Sequence, residues 1–122
     1  MKETPHDIRE RTFEFAVRIV RLCRSLEEDS RTSNVLANQL LRSGTSIGAN
    51  TEEAHGSQSK ADFTAKMYIA CKEARETHYW LRLLVSSDTV PEEKLVSLID
   101  EANQLVAILT AITKKSRANP KT

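Results

Sequence analysis

Glycine, proline, cysteine and aromatic residues are all scarce in this chain. Its 122 residues include three glycines, three prolines and two cysteines, and aromatic residues make up 5%. Disordered segments and turn-rich β folds need more glycine and proline, so both classes are disfavoured. Cys23 and Cys71 lack the CxxC spacing of a redox or zinc motif. We therefore expect two reduced, buried thiols in a cytoplasmic protein.

A long apolar run and an excess of one charge are also missing. No stretch of about 18 consecutive apolar residues is present, and the N-terminus has no apolar signal-peptide core, which disfavours secretion and a membrane partner. The net charge is +1, hydrophobic residues make up 39% and charged residues 29%. A chain of this length and composition is expected to form a single domain, residues 1–122, around one hydrophobic core.

Apolar residues recur at spacings of three and four along most of the chain, which predicts long amphipathic helices. We expect helices at about residues 5–27, 33–55, 60–86 and 91–117, separated by short polar turns. Long helices joined by short turns pack against their neighbours in antiparallel pairs. The sequence therefore predicts an all-α fold, an antiparallel up-down-up-down four-helix bundle.

Small residues interrupt the second helix at one point. Gly44 and Gly48 each cost about 1 kcal/mol relative to alanine in a helix interior. The residues around the two glycines also have small side chains, namely Ser43, Ser46 and Ala49. We expect the closest helix packing in the domain at Gly44 and Gly48, where a neighbouring backbone approaches.

The first helix carries a second apolar stripe besides its core face. Phe13, Val17 and Val20 are spaced by four and three and point largely away from the core residues of the same helix. A monomeric bundle needs one apolar face per helix. The stripe is either part of one unusually broad buried face or an oligomer interface, and we favour the interface.

No set of residues predicts catalysis or a metal site. A di-iron bundle needs Glu-x-x-His on two helices, and within the predicted helices only the segment that ends at His55 provides it, because Arg75 stands three residues before His78 and Glu3, three residues before His6, precedes the first predicted helix. A nucleophile elbow and a phosphate-binding loop are also missing. We therefore expect a protein that is not an enzyme and that uses neither a metal nor another cofactor.

Basic residues provide the best candidate surface for RNA or DNA. They form a series on the first helix and a cluster near the C-terminus: Arg11, Arg18, Arg21, Arg24, Lys114, Lys115 and Arg117. Arg42, Arg75 and Arg82 could extend this surface. We expect contacts with phosphates rather than bases, because no recognition helix and no aromatic stacking platform is evident.

Three segments carry a resemblance to a known family. They are Arg42-Ser-Gly-Thr-Ser-Ile-Gly-Ala-Asn50, Ser59-Lys-Ala-Asp-Phe63 and Lys72-Glu-Ala-Arg-Glu-Thr-His-Tyr-Trp-Leu-Arg-Leu-Leu84. Together they resemble the bacterial four helix bundle protein family, also known as the 23S ribosomal RNA intervening-sequence protein family. The chain departs from the usual Ile-Ala-Glu-Gly continuation after the asparagine and has Thr51-Glu-Glu-Ala-His-Gly56 instead.

The resemblance implies a closed ring of five identical bundles, and it does not supply an enzymatic activity. A related branch, the accessory protein of diversity-generating retroelements, forms a basic pentamer that engages a reverse transcriptase and nucleic acid. By analogy, we expect a homopentameric scaffold that binds RNA or DNA through phosphate contacts. The alternative is an adaptor that binds a partner protein, such as a reverse transcriptase, without touching nucleic acid.

Overall fold

The computed structural model describes residues 5–26 and 30–118 of the chain. Within these residues there is no β-strand, and the four helices are α1 (Pro5–Leu26), α2 (Arg31–His55), α3 (Lys60–Ser86) and α4 (Glu92–Ala118). Contacts between successive helices pair the start of one with the end of the next, so neighbours run antiparallel. The predicted all-α four-helix bundle is confirmed.

Both ends of α3, the start of α1 and the end of α2 lie where they were predicted, and the other described helix ends differ by one or two residues. α2 begins at Arg31 rather than at residue 33, because the Ser30 hydroxyl accepts a hydrogen bond from the Ser33 amide at 3.1 Å and caps the helix. α4 begins and ends one residue later than predicted, at Glu92 and Ala118. The predicted end of the first helix at residue 27 lies outside the described residues.

One continuous core lies between the four helices. Its largest fully buried side chains come from every helix and include Phe15, Ile47, Met67, Leu81 and Leu105. Burying this apolar surface is the main favourable term in folding. Both cysteines lie among the described residues, are buried and form no disulfide bond.

Several hydroxyls are buried within this core, and each has a partner. Thr12, Thr51 and Thr113 donate to the carbonyl four residues earlier in their own helix at 2.8 Å. Thr77 Oγ1 joins two helices by bonding to Ser43 Oγ at 2.9 Å. Because these groups are satisfied, their burial carries little desolvation cost.

The two neighbours of α1 contact it very differently. α2 packs along the length of α1, whereas α4 touches α1 at only a few positions. At Gly44 an added Cβ would lie 2.8 Å from Ile19 Cγ2, and at Gly48 it would lie 3.2 Å from the Thr12 carbonyl oxygen. Both glycines therefore lie where α1 crosses α2, and Gly48 meets backbone rather than a side chain.

In the part of the chain that the structure describes, one helix, α4, is long and apolar enough by length and composition to cross a membrane. The core helix of a bundle meets the same criteria. Leu95, Leu98, Leu105 and Leu109 of α4 are buried against the other helices. The expected lack of a membrane partner stays a prediction.

Candidate functional site

The second apolar stripe of α1 lies on the outside of the bundle. Phe13 is 65% exposed and Val20 36% exposed, while Val17 is partly buried. The stripe lines an open groove of about 320 Å³ together with Ala16, and Arg21 also borders it. In the described chain, the stripe is therefore not part of one broad buried face. The interface interpretation stays a prediction.

The arginine series of α1 divides into paired and open residues. Arg11 holds Glu101 of α4 in a two-pronged contact, with Nε at 3.0 Å from Oε2 and Nη2 at 2.7 Å from Oε1, and Nη2 also donates to Gln104 at 3.1 Å. A phosphate would have to displace the Glu101 carboxylate to use the same donors. Arg11 is consequently a weaker phosphate ligand than the sequence suggested.

The other arginines of the series keep their charge available. Arg18 Nη2 donates to the Ser97 hydroxyl of α4 at 2.9 Å, and this partner is neutral. Arg21 and Arg24 are exposed and line the apolar groove. Arg21 and Arg24 thus form a basic rim beside Val17 and Val20, whereas Arg18 lies on the side of α1 that faces α4.

The basic C-terminal residues lie at the opposite end of the bundle. Ser97 lies beside Arg18, and α4 continues from there to Lys114 at 1.5 Å per residue, which places Lys114 about 25 Å away along the axis. Lys114 and Lys115 are exposed, and the Arg117 guanidinium carbon lies 5.0 Å from the centre of the Tyr68 ring. The structure does not bring these residues together with the arginines of α1.

The outer face of α3 carries a basic and aromatic row, of which the sequence interpretation named only Arg75 and Arg82. Its members alternate at spacings of four and three and are all exposed: Tyr68, Lys72, Arg75, Tyr79 and Arg82. We call this row the α3 ridge. Applying the helix spacing rule to polar and aromatic residues, and not only to apolar ones, would have found it.

Acidic residues next to the α3 ridge are engaged by α2. Arg42 donates to Glu73 at 3.2 Å and also bonds Glu76, so it does not extend a phosphate-binding surface as freely as the sequence suggested. Burial lowers the pKa of His78, and the positive charge of Arg82 lowers it further.

Metal-binding side chains are dispersed among the described residues, which contain no group of three or more His, Cys, Asp or Glu able to hold an ion. His55 makes contacts within the bundle: its Nδ1 lies 2.8 Å from the Thr51 carbonyl oxygen, and its ring packs edge-on against Phe63. Its Nε2 is buried without a hydrogen-bond partner among the described residues.

Comparisons with known proteins agree with the fold. The family model described as 23S rRNA-intervening sequence protein matches residues 5–111. A solved structure of a protein with unknown function from the S23 ribosomal protein family of Bacteroides thetaiotaomicron VPI-5482 is 42% identical, with a TM-score of 0.84. The match covers 90% of this chain and 97% of that one. A search of curated proteins found no significant match.

Proposed function

The chain belongs to the 23S rRNA-intervening sequence protein family, and from this premise we propose that it is a non-enzymatic, homo-oligomeric scaffold that binds RNA or DNA through phosphate contacts. The resemblance described above suggests five subunits in a closed ring. The observation that carries the proposal is the exposed Phe13 in an apolar groove with a rim of arginines.

Assembly would explain the exposure of Phe13. A large aromatic side chain in water forgoes the stabilisation that burial provides, and covering the groove with a second subunit recovers it. A ring also needs a heterologous contact, in which the groove of one subunit meets a different surface of the next. Arg21 and Arg24 would then lie at the border of each interface and recur around the ring.

Repetition would also explain how a nearly neutral protein could bind a polyanion. The net charge is +1, so long-range attraction to nucleic acid is weak for a single subunit. A ring multiplies each basic rim, and simultaneous contacts raise the overall affinity without strengthening any one of them. Arg18, Arg21 and Arg24 are the residues of α1 that best fit this role, because Arg11 is paired with Glu101.

The alternative function is an adaptor that recruits a protein. Two observations favour it, namely the low net charge and the neutralisation of Arg11 by Glu101. In that case the groove or the ring surface would bind a partner protein, and nucleic acid would bind no more tightly than to any weakly basic surface.

The test combines assembly mass with binding of labelled duplex RNA and DNA at two salt concentrations. We expect an oligomer that binds at low salt, loses affinity steeply as salt rises, and binds more weakly when Arg18 and Arg21 are replaced by alanine. Phe13→Glu should dissociate the oligomer while helical content stays high, and Phe13→Leu should keep it assembled. An intact oligomer that binds neither duplexes nor single strands at low salt would favour the adaptor, and a Phe13→Glu variant of unchanged mass would refute the interface.

A further inference from the structure

The α3 ridge places two tyrosines on nearly the same side of one helix. Tyr68 is 42% exposed and Tyr79 54% exposed. Tyr79 follows Tyr68 by eleven positions, which complete about three turns, so the rings project in almost the same direction and lie about 16 Å apart along the axis. Lys72 and Arg75 occupy the space between the two rings, and Arg82 follows the second.

Neighbouring side chains support each ring from one side. The Arg117 guanidinium lies 5.0 Å from the centre of the Tyr68 ring. Trp80 meets Tyr79 nearly edge-on, at 5.1 Å between ring centres and an angle of 73°. The Trp80 indole is itself fixed by a hydrogen bond from Nε1 to Glu76 at 3.0 Å. Rings that are already oriented lose less entropy when a flat ligand stacks on them.

The charges around these rings suit a polyanion. Lys72, Arg75 and Arg82 are exposed cations, and Arg117 adds another beside Tyr68. The carboxylates on the flank of α3 that faces α2 are Glu73 and Glu76, and both already bond to Arg42. The field along the ridge is therefore positive on the same face as the aromatic rings.

We infer that the α3 ridge binds single-stranded RNA or DNA. Bases stack on Tyr68 and Tyr79, while Lys72, Arg75 and Arg82 contact the phosphates between and beyond them. Single strands suit this arrangement because their bases are free to stack on protein side chains, whereas duplex bases are already stacked on each other. The inference rests on the proposed function and deepens it, since it assigns a strand type and a second surface.

The spacing of the rings sets a minimum length for the ligand. A strand with a rise of 3.4 Å per nucleotide needs about five nucleotides to pass both tyrosines, and a more extended strand needs fewer. An oligonucleotide of ten nucleotides can therefore reach both rings and all three cations. A dinucleotide reaches one ring only and should bind much more weakly.

The experiment compares labelled ten-nucleotide oligouridine and oligothymidine with a duplex, using the full chain. Replacing Tyr68 and Tyr79 by alanine should weaken single-strand binding at least about fivefold and leave duplex binding unchanged. Replacing both by phenylalanine should preserve binding, because the stacking faces remain. The double replacement of Lys72 and Arg75 by alanine should instead reduce the steepness of the slope of log affinity against log salt concentration by about 1.4. The two oligonucleotides show whether the ridge prefers RNA or DNA.

Other outcomes would overturn the inference. Single-strand binding that survives the two alanine replacements would show that the tyrosines do not stack on bases. Loss of assembly mass in the same variant would make the ridge a contact between subunits. Duplex binding without single-strand binding would show that the α3 ridge is not a single-strand site and would leave the proposed function intact. An intact oligomer that binds no nucleic acid would refute both.

Discussion

The two sides of α1 are held by different kinds of contact. Toward α2, the helices approach so closely that a Cβ at Gly48 would lie 3.2 Å from the carbonyl oxygen of Thr12. Toward α4, the described contacts include Arg11 with Glu101 and Arg18 with Ser97, which reach across a more open seam. One seam depends on shape and the other on charge and hydrogen bonding.

This difference determines how each seam responds to change. A close-packed seam has no room for added atoms, and it is little affected by salt because the contacts are van der Waals contacts. A seam of long polar side chains adapts to substitution but weakens when ions screen the charges. The same helix thus has one rigid boundary and one adjustable boundary, and the groove at Phe13 lies on its outer surface.

The largest expected effect comes from filling the close seam. Gly48→Leu should destabilise the bundle by about 1 to 3 kcal/mol or more, because the new side chain must push the α1 backbone away. Urea unfolding should show a lower midpoint, and the melting temperature should fall by about 3 °C or more. Ala49→Leu is the matched control, since Ala49 is exposed on the same helix, and it should change stability by less than about 0.5 kcal/mol. Equal stability of the two variants would show that α1 does not approach α2 at Gly48.

The close seam was the easier one to predict from sequence. A glycine inside a helix has a cost that can be recognised in the sequence, so Gly44 and Gly48 called for a structural reason. The cap at Ser30 was harder, because several hydroxyl residues in that turn can each cap a helix. The helices themselves were predicted well, since long regular apolar spacing is a strong signal.

The open seam and the α3 ridge could not be predicted so readily. Nothing in the local sequence of Arg11 indicates a partner ninety positions away, so the residue was interpreted as a possible phosphate ligand. Tyr68 and Tyr79 drew no prediction, because the helix spacing rule was applied to apolar residues only. Only the packing of α3 against both neighbours establishes which of its faces stays exposed.

The second effect, of intermediate size, measures the charge-held seam. A double-mutant cycle with Arg11→Ala and Glu101→Ala should give a coupling energy of about 0.5 to 1 kcal/mol at low salt, because the pair is two-pronged and only 26% and 21% exposed. The coupling should shrink in about 1 M salt, where charges are screened within about 3 Å. Urea unfolding of the four proteins at both salt concentrations provides the measurement. A coupling near zero at low salt would mean that the seam is held by other contacts.

The smallest effect concerns an ion pair on the outside of the close seam. Arg9 donates to Glu52 of α2 through Nε and Nη2, each at 3.0 Å, and this hydrogen bonding lowers the pKa of Glu52 from its usual 4.5. Between pH 4.5 and the lower pKa that Glu52 has in the folded chain, the unfolded chain binds more protons at Glu52 than the folded chain does. The stabilisation from this ion pair is therefore complete above pH 4.5 and is lost as the pH falls through the pKa of Glu52 in the folded chain.

Arg9→Gln removes the charge and should therefore reduce the fall in stability between pH 6 and about pH 3, although other carboxylates will titrate in both proteins. The measurement is the difference between the urea midpoints of wild type and variant at each pH. That difference should be largest at pH 6 and should approach zero as the pH falls to about 3. Gly48→Leu, by contrast, should lower the midpoint at both pH values. If the Arg9→Gln difference stays constant with pH, the arginine acts through packing of its aliphatic part, and the outer edge of the α1 and α2 seam is held by shape as well.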